Sequence, residues 1–235
     1  MNSPLGIGFV CNYPNFGGLE MQTVKRAADA EVRGHRSFAI VSRGTPSDEY
    51  AAKLGVRRLY VDQRLRYVAP LTSFRLRSMM KEHAIDAFVC GKTESLSVSG
   101  LALRMAGRRK GNFLYQQMQS GIDKRDWFHN AVYRQLSGAV VLTEIMKRKL
   151  LETTVCTEEK IAVIPYGIDT DRFDPRNFDK AELKSRLGIP PESFLVGTMG
   201  RLDPSKGIDT AMRAFAQARI PNSKFAIAGN ADNHD

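Results

Sequence analysis

Leu5-Gly6-Ile7-Gly8-Phe9-Val10-Cys11-Asn12-Tyr13-Pro14-Asn15-Phe16-Gly17-Gly18-Leu19-Glu20 is the stretch that decides the fold. Its apolar run, Leu5–Cys11, reads as a first buried strand. It has neither the basic flank nor the small-residue cleavage site of a signal peptide. Two adjacent glycines follow and open a helical pattern. Met21, Val24, Ala28 and Val32 fall on one face of that helix, and Gly34 is placed to end it. The alternation continues along the chain. Apolar runs recur at Arg36–Val41, Arg58–Val61, Asp86–Cys90, Asn112–Gln116, Ala139–Thr143 and Ile161–Ile164. Helical patterns lie near Ser73–His83, Glu94–Ala106, Arg125–Leu136 and Glu144–Leu151. Most of the runs are continuously apolar, as strands buried on both faces of a parallel sheet are. The expectation is an α/β fold with a doubly wound parallel sheet.

A segment richer in Asp and Pro, Tyr166–Pro191, carries one modest helix at about Lys180–Leu187. A new β-α-β unit then starts with strand Phe194–Met199, helix Gly207–Ala218 and strand Lys224–Ala228. In that helix Ile208, Ala211, Met212, Phe215 and Ala216 keep a helical period. The expected domains are residues 1–172, a linker 173–192, and the start of a second domain at 193–235. One β-α-β unit cannot cover both faces of its own sheet, so the second domain is expected to be incomplete.

Three segments offer chemistry. In Asn15–Glu20 the glycines let backbone amides approach a ligand closely, and the helix start adds partial positive charge. The alternative is a plain strand-to-helix turn. This is not the dinucleotide fingerprint: Gly6-Ile7-Gly8 lies inside the strand, and Cys11 takes the third glycine's place. In Gly200-Arg201-Leu202-Asp203-Pro204-Ser205-Lys206-Gly207, Arg201 can make a forked contact with phosphate oxygens and Lys206 adds a mobile point charge. Both follow a strand at whose carboxyl end ligands usually bind. In the third segment, Val163–Phe173, Pro165 stops a strand, Gly167 permits a turn and Asp169 caps it. That role is mostly structural.

Together these motifs resemble the retaining glycosyltransferases of family 4, which have the GT-B fold. Gly17, Gly18 and Glu20 match its two glycines and glutamate. Arg33, Gly34 and His35 match its RGH helix ending. Ile164 to Phe173 match IPxGxDxxxF, and Gly200 to Gly207 match GRLxxxKG. The resemblance implies two Rossmann-like domains, a nucleotide-diphosphate sugar as donor, and transfer to a glycan or lipid-linked acceptor with retention. It implies diphosphate binding by Arg201, Lys206, Gly17, Gly18 and Gly200, and no metal. Two departures stand out. The family's paired glutamates, seven residues apart, would fall beyond Asp235. The family's frequent histidine after the fifth strand is replaced within Tyr115-Gln116-Gln117-Met118-Gln119-Ser120-Gly121. Gln117 is the candidate there. A glutamine positions by hydrogen bonds but is no general base near neutral pH, and a structural role is the alternative. Asp123-Lys124-Arg125-Asp126 either lines the acceptor side or caps the next helix.

The net charge of +10 favours anionic partners. Seven basic residues and one acid, Asp62, lie between Arg57 and Lys81, and Arg108, Arg109 and Lys110 cluster again. These are either a solvated surface or an attraction to an anionic membrane face. Zinc-finger spacing and an aromatic RNA-binding signature are missing, so nucleic acid is not an expected partner. Three scattered cysteines, Cys11, Cys90 and Cys156, fit a reducing cytosol, with the inner membrane face as a peripheral location. Gly91-Lys92-Thr93 is not a phosphate loop, because Asp86 stands where a glycine is required. Trp127 and Phe128 read as core, with contact to an acceptor or a membrane as the alternative. The rival to an enzyme is a truncated, non-catalytic module that binds an acceptor or partner. A Rossmann oxidoreductase is disfavoured by the broken fingerprint.

Overall fold

The computed structural model describes residues 3–14, 16–62, 69–116, 124–200 and 202–229. It divides into two compact units, Met1–Tyr166 and Gly167–Asp235.

In the first unit the strands are β1 (Gly6–Cys11), β2 (Arg36–Val41), β3 (Arg58–Tyr60), β4 (Ala87–Cys90), β5 (Asn112–Gln116), β6 (Gly138–Val141) and β7 (Ile161–Val163). The helices are α1 (Gly18–Val32), α2 (Pro46–Lys53), α3 (Pro70–Glu82), α4 (Thr93–Met105), α5 (Trp127–Tyr133) and α6 (Glu144–Thr153). Among the described residues the strands form one sheet in the order β3-β2-β1-β4-β5-β6-β7, every neighbouring pair parallel. This is the doubly wound α/β fold. One core cluster gathers Val24 and Ala27 of α1 with Phe9, Ala39, Val41 and Ala51. The other, larger cluster gathers Leu76, Leu96, Leu103 and Tyr133 from α3, α4 and α5 with Phe88 and Ile40 of the sheet.

The glycines of β1 serve packing. A Cβ on Gly6 would come 1.9 Å from Ala84 O, and one on Gly8 would come 2.8 Å from Ile40 Cδ1. The RGH ending of α1 has a backbone cause. Gly34 adopts φ +85°, which lets Gly34 N donate to Glu31 O and His35 N to Ala30 O, a Schellman turn. His35 Nδ1 then accepts from Leu5 N at 3.3 Å.

Three expectations need correction. The buried face of α1 is Glu20, Thr23, Val24, Ala27 and Ala30; Met21 is exposed and Val32 is 90% exposed. The helix lies close on the sheet, so small residues fill the contact and the larger ones turn outward. Helix α2 was not foreseen. It has a start signal, Thr45 accepting from Asp48 N with Pro46 in the first turn, but little apolar periodicity. Trp127 is 82% exposed, and of that aromatic pair only Phe128 packs against the core.

The second unit holds α7 (Lys180–Arg186), β8 (Phe194–Met199), α8 (Ile208–Ala218) and β9 (Ser223–Ala228), with β8 and β9 parallel. Phe215 of α8 lies on Phe225 of β9 at 5.1 Å between ring centroids. No apolar side chain among the described residues of this unit is buried.

Candidate functional site

Strand order reverses between β1 and β4, which lie side by side in the register Val10 to Cys90. In open α/β sheets ligands bind in the crevice beyond such a point, at the carboxyl ends of the strands. The turn after β1 and the turn after β4 therefore share one edge.

Gly17 is the N-cap of α1 and Gly18 its first residue. Gly17 has φ −149°, an extended backbone that any residue adopts, and a Cβ there would meet only Glu20 Oε2 at 3.4 Å. Among the described residues neither strain nor crowding requires glycine at this position. Glu20 is 6% exposed, and its Oε2 accepts from Gly17 N at 3.0 Å. Its Oε1 pairs with Lys92 Nζ at 2.9 Å. Lys92 follows β4 as the N-cap of α4, and its ammonium also sits 3.7 Å from the centre of the Tyr13 ring. The Tyr13 hydroxyl bonds Ser95 Oγ. Burial pushes the Tyr13 phenol up, so it stays protonated. Leu19 packs on Gly91, where a Cβ would meet it at 3.2 Å. The two turns are thus locked together by the Glu20–Lys92 ion pair, the contacts of Tyr13 with Lys92 and Ser95, and the packing of Leu19 on Gly91.

A second cluster stands beside it on α4 and α5. Thr93 Oγ1 and Tyr133 Oη lie 3.1 Å apart. Lys124 Nζ donates to Thr93 Oγ1 at 3.0 Å and to Tyr133 Oη at 3.4 Å. Desolvation lowers the Lys124 pKa, against the pull of Glu94. Of the two roles open to the segment before α5, capping is the one seen. Asp126 caps α5 through Phe128 N and His129 N, Arg125 donates to Leu151 O, and Lys124 turns into the polar cluster. Asp123 lies outside the described residues.

In the second unit Gly200 closes β8, its N donating to Ala228 O at 2.9 Å. Lys206 ends the 3-10 turn Pro204–Lys206, exposed, immediately before α8. Asp203 caps that turn through Ser205 N, and Gly207 at φ +63° leads into the helix. The Lys206 ammonium has no hydrogen bond or ion pair among the described residues, so its charge is available beside the amides of the first turn of α8. Arg201 and Gln117 lie outside the described residues. Asp169 caps its turn, as its spacing suggested: its Oδ1 accepts from Arg172 N at 3.0 Å. Cysteine chemistry is unsupported, because burial pushes the Cys11 and Cys90 thiols up to about 12. Among the described residues no three His, Cys, Asp or Glu side chains are grouped to hold a metal, and no helix is long and apolar enough to cross a membrane.

Sequence reasoning passed over Tyr133, set Lys92 and Thr93 aside as a failed phosphate loop, and left Lys124 between lining and capping. The available signal was positional. Gly91-Lys92-Thr93 failed as a phosphate loop, yet it follows the strand that adjoins β1 where the strand order reverses.

With this geometry in place, the profile of glycosyltransferase family 4 matches residues 16–172. The chain belongs to glycosyltransferase family 4. It is 27% identical over 223 residues to a GDP-mannose-dependent α-(1-6)-phosphatidylinositol monomannoside mannosyltransferase of Mycolicibacterium smegmatis, covering 92% of this chain and 58% of that protein. It is 37% identical over 92 residues, 37% of this chain, to 22% of a D-inositol 3-phosphate glycosyltransferase of Corynebacterium jeikeium. Among solved structures, a glycosyltransferase from Rickettsia africae superposes with a TM-score of 0.82 at 18% identity, over 99% of this chain and 62% of that one. Anabaena HepE in complex with UDP-glucose superposes with a TM-score of 0.73 at 18% identity, over 98% of this chain and 62% of that one. These likenesses show the fold. The family 4 chain spans 58% of the length of its mannosyltransferase relatives.

Proposed function

We propose that this chain carries the acceptor-side domain and part of the donor-binding domain of a retaining glycosyltransferase. Its donor would be a nucleotide-diphosphate sugar, and its acceptor a glycan or lipid-linked glycan. The named activities of the mannosyltransferase relatives and the UDP-glucose bound to HepE support this class of donor. The observation that carries the reading is the turn at Gly17. Among the described residues nothing demands glycine there, the turn lies at the carboxyl edge of the sheet, and a half-buried Glu20–Lys92 pair fixes it. A glycine without an internal cause fits close approach by a ligand.

In this reading Lys206 and Arg201 offset the charge that grows on the departing diphosphate, with Gly200 letting backbone approach it. Gly18 contributes its amide, and Gly17, whose own N–H is held by Glu20, allows close approach of the backbone. Lys92 is a positioning residue acting through Glu20. The cluster of Lys124, Thr93 and Tyr133 offers donors to acceptor oxygens, and Gln117 orients a sugar hydroxyl. Residues 173–192 act as the linker, and the basic stretch 57–81 meets an anionic membrane face on the cytoplasmic side.

Calorimetric titration of the 235-residue chain with UDP, GDP and NAD tests the donor assignment. One nucleoside diphosphate is expected to bind at least about tenfold more weakly after Lys206→Ala or Arg201→Ala, the scale of a lost charged contact. Tight NAD binding would remove the transferase reading. Binding of neither class by a folded chain would favour the non-catalytic module.

A further inference from the structure

A second concentration of charge sits at the opposite end of the strands, where β5 begins. Helix α4 ends in a Schellman turn: Gly107, at φ +73°, donates to Arg104 O and Arg108 N donates to Leu103 O. That turn directs Arg108, Arg109 and Lys110 along the amino-terminal edge of the sheet. Arg108 is committed to the protein, donating to Ile85 O, Asp86 O and Asp86 Oδ1. Gly111, at φ +109°, then returns the chain to β5, in a position where a Cβ would come 2.6 Å from Asp86 O. Arg134 follows α5 directly and reaches the same edge.

Arg104, Arg108, Arg109 and Arg134 line one cavity of about 460 Å³, together with Asn112 and Gln135. No carboxylate lines it. Asp86 lines the adjoining concavity, but its oxygens already serve Gly6 N and Arg108. The guanidinium groups of Arg104, Arg109 and Arg134 have no hydrogen bond, ion pair or ring contact among the described residues. A single cation would suffice to offset the negative end of each helix. Here three unneutralised guanidiniums share one concavity, in the size range of small-molecule sites, ~300–1,000 Å³. Planar guanidiniums match the oxygens of a phosphate in forked pairs.

We propose that this cavity binds a phosphate-bearing anion through Arg104, Arg109 and Arg134. The four residues of β5 that follow Asn112 place it about 13 Å along the sheet from the glycine-turn edge. Two sources carry the required chemistry, a soluble phosphate ester and the headgroup of an anionic phospholipid.

Inorganic phosphate and pyrophosphate would be titrated into the ¹⁵N-labelled 235-residue chain, with arginine Nε–Hε and backbone resonances followed. Saturable shifts at Arg104, Arg109 and Arg134 are expected, weakened at least tenfold in Arg109→Gln/Arg134→Gln. Both positions are exposed, so the fold survives, and circular dichroism checks it. Lys206→Ala should leave these shifts in place, which separates this site from donor binding. Flotation with phosphatidylglycerol vesicles, against phosphatidylcholine vesicles, distinguishes the sources. Vesicle binding weakened by the double variant and competed by soluble phosphate assigns a headgroup. Saturation by soluble anion without vesicle binding assigns a soluble ester. Uniform, non-saturating shifts at all surface arginines, unchanged in the double variant, would overturn the proposal.

Discussion

Lys92 shows how one residue can govern a site it does not enter. Its ammonium neutralises Glu20, whose side chain is 8% exposed, and Glu20 in turn holds Gly17 N. Removing the cation leaves a buried carboxylate without a counter-charge, a costly state that the bond from Gly17 N offsets only in part. Lys92 itself is 32% exposed, so water recovers part of that cost. Lys92→Ala should therefore lower stability by about 2 kcal/mol in urea melts. A loss below about 0.5 kcal/mol would show that water replaces the ammonium fully. Asp86 carries a pH dependence. The bond from Gly6 N, and then that from Arg108, hold its carboxyl below the ordinary 3.8, against the opposing effect of burial. A carboxylate with a depressed folded-state pKa contributes stability above its unfolded value and loses it as pH falls through the folded one. Asp86 should add about 1 kcal/mol above roughly pH 5, after allowance for its partial exposure, and nothing well below pH 3.8. Stability of Asp86→Asn measured from pH 7 to pH 2 should converge on the parent at the acid end. A constant gap across that range would remove the assignment.

At the scale of elements, turns explain more than propensities do. Helices α3 and α4 end in the same backbone motif with different residues at the left-handed position. Gly107 takes φ +73° without strain, and a Cβ there would touch nothing within 4 Å. Ala84 takes φ +49°, with Ile85 N donating to Met80 O. An L residue in that conformation costs about 1 kcal/mol relative to glycine. Gly107→Ala should destabilise and Ala84→Gly should stabilise, each by about 1 kcal/mol, in paired thermal melts. Equal signs would mean that contacts, not dihedrals, decide. The same distinction explains what the sequence makes legible. Continuous runs such as Phe38–Val41 announce strands because both faces are covered, and Gly34 announces a helix end because of its φ. Helix α2 escapes because Thr45 and Pro46 start it while little apolar periodicity sustains it. The glycine turn was legible in Gly17 and Gly18. The pairing of Glu20 with Lys92 was not, because it depends on β1 and β4 becoming neighbours across more than seventy residues.

At the scale of the molecule, the two units differ in what holds them. The first has a core cluster built on each helix-bearing side of its sheet, with Phe88, Ile40, Leu76 and Leu96 almost wholly out of water. The second has a two-stranded parallel pair and two helices, and none of its described apolar side chains is buried. Phe194 is 59% exposed and Met199 87%. Apolar burial contributes roughly 25 cal/mol per Å², so side chains left in solvent add little to offset the entropy of ordering the backbone. A two-stranded ribbon alone is marginal in water, and the helix laid on this one leaves none of its described apolar side chains buried. The six-residue ladder of β8 and β9, whose only described ring contact is Phe215 on Phe225, should therefore open at a small fraction of the free energy needed to open β1 and β4. Amide hydrogen exchange reads this directly. Amides of Val196, Thr198 and Ala226 should exchange orders of magnitude faster than those of Phe9, Val10 and Val89, and a donor nucleotide that binds the second unit should slow them in proportion to its occupancy. Equal protection in the free chain would show that the second unit draws stability from contacts beyond its own strands and helices.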